Sequence, residues 1–144
     1  MQEKENVKEI VIPENYKYIA IFLSMRCNLN CSFCLNALDK SKEFQREKFK
    51  ELSGEEWIEA LNRIKSKSEV PLSFSGGEPM LHPGFTKILN NIKPELNIDI
   101  LTNFYNKYLV DKFISEVNPQ RIRRNAPYAS IRVSYHPEQM DAEK

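Results

Sequence analysis

Apolar and polar positions alternate between two periods along this chain. Tyr18-Ile19-Ala20-Ile21-Phe22-Leu23 is a near-continuous run rich in β-branched and aromatic residues, which predicts a strand covered on both faces. Trp57, Ala60, Leu61 and Ile64 then recur at helical spacing. They follow Ser53-Gly54-Glu55-Glu56, in which Ser53 and Glu56 form a capping box, so a helix is predicted from about Gly54 to Lys65. Val70-Pro71-Leu72-Ser73-Phe74 predicts a second strand, with the proline near its beginning. His82-Pro83-Gly84 opens a second helix carrying Phe85, Ile88, Leu89 and Ile92, which Pro94 stops. Leu96 to Leu101 predicts a third strand. Lys107 to Val117 predicts a third helix, with Leu109, Val110, Phe113, Ile114 and Val117 on one face and Asn118-Pro119 ending it. Ala129 to Tyr135 alternates as a fourth strand, and His136-Pro137-Glu138 reads as the start of a fourth helix.

Strands alternating with helices imply an α/β fold in which parallel strands are joined by right-handed crossovers, with the helices outside. Residues 1–15 are charged and read as a lead-in or short edge strand near Val11-Ile12, ahead of a core domain over 16–144. Residues 36–50 are strongly polar, and a solvated loop is preferred there over a ragged helix.

Composition narrows the class of protein. A chain of 144 residues with 41% apolar and 28% charged residues is one ordinary globular domain. A formal net charge of +1 supplies no long-range pull toward nucleic acid or an anionic membrane. The longest apolar run is far shorter than the roughly 20 residues needed to span a bilayer, and the charged N-terminus lacks the apolar core of a signal peptide. A cytosolic protein is expected. Arg121, Arg123 and Arg124 cluster between the third helix and fourth strand, where a solvated loop is preferred over a nucleic-acid contact.

The chemistry concentrates in one stretch. Cys27, Cys31 and Cys34 are the only cysteines, spaced C-x3-C-x2-C directly after the first strand. An odd, tight cluster argues for metal or redox chemistry rather than a disulfide framework. A [4Fe–4S] cluster normally takes four thiolates, so three leave one iron open to another ligand. Zinc, with His82 or His136 as a fourth ligand, is the alternative. In parallel β/α architectures reactive groups gather at the C-terminal ends of strands. Ser75-Gly76-Gly77-Glu78-Pro79 ends the second strand, Thr102-Asn103-Phe104 the third and Ser134-Tyr135-His136-Pro137 the fourth, which puts all of them on the same rim as the cysteines.

C-x3-C-x2-C with Phe33 before the last cysteine, joined to Gly76-Gly77-Glu78-Pro79 after the second strand, resembles the radical S-adenosylmethionine (radical SAM) superfamily over roughly residues 18 to 140. The resemblance implies a partial parallel (β/α) barrel. Its cluster would be a [4Fe–4S] centre on Cys27, Cys31 and Cys34, with S-adenosylmethionine chelating the fourth iron. The carbonyls of Gly76 and Gly77 and the Glu78 carboxylate would accept from the amino group of that cofactor, with Pro79 stiffening the turn of this binding segment. Phe33 would lie near the adenine, and Asn103 and Ser134 would face the ribose and carboxylate. An external one-electron donor would reduce the cluster, and cleavage would give a 5′-deoxyadenosyl radical that abstracts hydrogen from a substrate. The family's barrel usually has six β/α units and this chain offers four. Either a fragment of a longer gene product, or an abbreviated domain completed by a partner or by self-association, is therefore expected.

Overall fold

The computed structural model describes residues 8–34, 50–122 and 129–141. Its centre is a four-stranded, all-parallel sheet formed by β2 (Ile19–Ser24), β4 (Leu72–Gly76), β5 (Ile98–Thr102) and β6 (Ile131–Val133), in that spatial order. Strands successive in this order are neighbours in space. The intervening segments hold α1 (Gly54–Asn62), α2 (Phe85–Asn91), α3 (Lys107–Glu116) and a one-turn α4 (Pro119–Ile122). The result is the α/β architecture of a partial β/α barrel.

Register decides which side chains share a face. Ile21, Phe74, Ile100 and Ile131 stand side by side across the four strands. With Leu23, Leu72 and Ile98 they form the sheet's side of a core completed by Leu61, Phe85, Ile88, Leu89, Ile92, Phe113 and Val117. The alternate residues, among them Ala20, Phe22, Ser73, Ser75, Asp99 and Arg132, face the other way. That inner face is polar and partly open, and Phe22 is 55% exposed on it. The expectation that the first strand is covered on both faces therefore fails. The helices bury only its odd-numbered side.

Four other expectations are corrected. The helix predicted over Gly54–Lys65 does begin on the capping box, with Ser53 Oγ accepting from Glu56 N and the Glu56 carboxylate accepting from Ser53 N. It ends at Asn62, and Ile64–Ser66 becomes a strand, β3, pairing in parallel with β1 (Ile10–Ile12). Ile64 is buried in this strand, three residues after buried Leu61, so a helical spacing misassigned it. Pro119 opens α4 instead of only ending α3, in keeping with proline's tolerance at a first helical turn. The predicted fourth helix is a turn: Gln139 N and Met140 N both donate to His136 O, and no helix follows among the described residues. Arg121 is not a solvated loop residue. Its guanidinium donates to the carbonyls of Leu89 (3.1 Å) and Lys93 (3.2 Å), closing the C-terminal end of α2. Arg123, Arg124 and the predicted loop of 36–49 lie outside the described residues.

Candidate functional site

Chain entering the site from β2 is laid directly against the end of β4. Gly77 N donates to Ser24 O at 3.0 Å and Glu78 N to Arg26 O at 2.7 Å. The approach is so close that a Cβ on Gly76 would lie 2.3 Å from Ser24 O, and one on Gly77 would lie 2.1 Å from Arg26 O. Gly76 also has φ +122°, a conformation that only glycine adopts without strain. The two glycines thus let the cysteine loop start flush against the second strand. The close approach that they make within the chain is to its own backbone.

Glu78 is buried and spans two strand ends. One carboxylate oxygen accepts from Met80 N (3.2 Å) and Thr102 Oγ1 (2.6 Å), and the other from Asn103 N (2.8 Å). Burial pushes its carboxyl above the usual range, and the bonds from Thr102, Asn103 and Met80 pull partly back. Pro79 begins the short 3₁₀ turn Pro79–Leu81 that follows. Asn103 reaches back to the cysteine loop: its Nδ2 donates to Asn28 Oδ1 at 2.8 Å and lies 4.0 Å from Cys27 Sγ, while its Oδ1 accepts from Tyr105 N. Phe104 beside it holds φ 52°, uncommon for a bulky residue. Its N–H is satisfied by Thr102 Oγ1, and its ring packs edge-on against Phe113.

The cysteine loop is braced on two further sides. Arg26 pairs through two nitrogens with Glu51, donates to Leu81 O, and shares Glu51 with Ser24 Oγ. The Arg26 bond chiefly holds the Glu51 carboxyl below its ordinary range. From the turn after β6, Glu138 accepts from Ser32 N (2.7 Å) and Ser32 Oγ (2.9 Å), and Gln139 Oε1 accepts from Asn30 N (2.6 Å). Phe33 stacks on His136 with ring centroids 5.5 Å apart. Sequence reading missed Ser24, Arg26, Glu51, Glu138 and Gln139. Glu138 and Gln139 stand more than 100 residues from their partners, a separation at which no spacing signal exists.

These pieces enclose one cavity of about 190 Å³. Cys27, Cys31, Cys34, Phe33, Gly76, Gly77, Glu78, Asn103 and Ser134 all line it, together with His136. Of the predicted site residues only Pro79 lies off its wall. Cys31 is the buried thiol, pushed up by burial first and then by Glu138 and its two sister cysteines. Among the described residues no three His, Cys, Asp or Glu side chains converge on a point where a single ion would sit. His136, one of the two histidines offered as a zinc ligand, lines the same cavity as the three cysteines. His82, offered as a zinc ligand, is elsewhere: its Nε2 faces Leu52 O at 2.8 Å and its Nδ1 accepts from Gly84 N at 3.0 Å. Three sulfurs line one glycine-walled cavity, and thiolates are the donors that iron–sulfur clusters take.

The family model described as the radical SAM superfamily matches residues 21–143. Among curated proteins, the GTP 3′,8-cyclase of Chlorobaculum tepidum is 26% identical over 113 residues, covering 76% of this chain and 32% of that protein. The chain thus spans about a third of the length of that relative. No solved structure matches.

Proposed function

Because the chain belongs to the radical SAM superfamily, we propose that it binds a [4Fe–4S] cluster through Cys27, Cys31 and Cys34 and uses it on S-adenosylmethionine. A cluster held there, with an external one-electron donor, would supply the one-electron chemistry that the family applies to S-adenosylmethionine. The chain's own part is placement. The cysteine thiolates would hold three irons, and the carbonyls around Gly76 and Gly77 would accept from the cofactor's ammonium group. Glu78, tied to Met80, Thr102 and Asn103, keeps that wall rigid. Ser134 offers a hydroxyl to the ribose, and Phe33 offers a ring face to the adenine. The apolar lining of Leu29 and Leu101 excludes water.

The observation that carries this reading is that three thiols and the Gly-Gly-Glu segment face a single cavity. Anaerobic reconstitution with iron and sulfide should give a brown protein with about four irons per chain. Reduction with S-adenosylmethionine present should then release 5′-deoxyadenosine. A colourless protein that takes up only zinc would overturn the reading.

A second reading is favoured by the open inner face, where Phe22 is 55% exposed. In it the chain binds cluster and cofactor, but turnover requires a partner or a second copy to cover that face. Repeated turnovers by the isolated monomer would rule it out.

A further inference from the structure

We propose that the turn His136–Gln139 is a strap that sets the conformation of the cysteine loop before any cluster arrives, with Glu138 as its principal tie. The loop itself is poor in internal structure. Between Cys27 and Cys34 the bonds it makes to itself are Cys34 N to Cys31 O (3.2 Å) and a long one from Leu29 N to Cys27 Sγ (3.4 Å). The backbone N–H groups of Asn30 and Ser32, the two residues flanking Cys31, are taken by Gln139 and Glu138 instead. Ser32 adds its hydroxyl to the same carboxylate. Phe33 stacks on His136. Four consecutive strap residues therefore include three that grip loop positions 30, 32 and 33, and the one cysteine buried to 6% exposure sits between the gripped amides.

The strap's other end is Ser134, whose N–H is fixed to Thr102 O at 2.9 Å. The segment 134–139 thus joins the rim of β6 to the thiol loop. Glu138 and Gln139 act here as positioning residues, since neither lines the cavity. The consequence for a cluster rests on the function proposed above; the conformational claim does not.

The test uses the cluster-free chain first. Alkylation of Cys31 by N-ethylmaleimide at fixed pH, followed by peptide mass spectrometry, reads how often the loop opens. Glu138→Ala should speed Cys31 labelling about tenfold relative to Cys27, the scale of losing a charge-assisted hydrogen bond. Gln139→Ala and Ser32→Ala each remove a bond without altering charge. They should act in the same direction, and they decide the matter, because Glu138→Ala also removes a carboxylate that raises the Cys31 thiol and would speed labelling on that account alone. Ser32→Ala combined with Glu138→Ala should add less than the sum of the two. After reconstitution, the same variants should lose cluster absorbance to a chelator faster and show an altered electron paramagnetic resonance signal. Cys31 labelled at the parent rate in Gln139→Ala and Ser32→Ala would overturn the strap, whatever Glu138→Ala shows. Faster labelling with no cluster in any variant, the parent included, would instead overturn the proposed function and leave the strap standing.

Discussion

At the scale of single residues, the Gly76-Gly77-Glu78 segment does mechanical work. Gly77→Ala would place a methyl 2.1 Å from Arg26 O, an atom held by Glu78 N. The backbone has nowhere to move without opening the entry to the cysteine loop. A loss of about 2 kcal/mol or more is expected in urea melts, with reduced cluster uptake. Glu78→Gln keeps the size but presents an amide nitrogen to sites that need acceptors, which should cost about 1–3 kcal/mol. The pH dependence of that cost has a definite sign. Burial raises the Glu78 carboxyl in the folded chain, so the native state holds this proton more tightly than the unfolded state. That contribution is full at acid pH and falls as pH rises from the usual carboxylate range toward the raised value. The stability gap between parent and Glu78→Gln, measured by denaturation at several pH values, should therefore narrow from about pH 4 upward.

At the scale of elements, helix ends decide more than helix bodies. The α1 N-terminus is closed locally by Ser53 and Glu56, so its start is readable from four consecutive residues. The α2 C-terminus is closed at a distance by Arg121, which comes from α4. Arg121→Ala should cost about 1–2 kcal/mol, and Arg121→Lys should recover little of it, because a single ammonium cannot span carbonyls that the planar fork reaches. Thermal melts of the three proteins check the order. The misread end of α1 has the same origin. Its continuation, Ile64–Ser66, becomes a strand because β1 lies alongside, and three residues carry no periodicity of their own.

At the scale of the whole molecule, the inner face of the sheet carries a buried charge. Asp99 accepts from Ser73 Oγ at 2.9 Å on the neighbouring strand and pairs with Arg132 on the other side. The three residues tie β4, β5 and β6 together across the face opposite the helices. Arg132 is 42% exposed at its side chain while Asp99 is fully buried, so the pair is worth less than a fully buried one. Its loss still leaves a carboxylate out of water. Arg132→Met should cost about 1–3 kcal/mol, and adding Asp99→Asn should restore part of it. A double-mutant cycle by urea denaturation measures the coupling.

The sequence by itself determined the alternation of strands and helices, the parallel α/β class, and the common rim that holds the cysteines, Gly76-Gly77-Glu78, Asn103 and Ser134. Those features are written in local periods and short motifs, whose physics acts within a few residues. Tertiary structure alone decided what each of them touches. It paired β1 with β3, turned the expected fourth helix into a strap on the cysteine loop, set Arg121 at the end of α2, and placed Glu51 and Glu138 on either side of the thiols. Each depends on a polar group finding a partner 25 to more than 100 residues away. Such a partner is selected by which chain ends the packed core brings within hydrogen-bonding reach, and no local pattern records that choice.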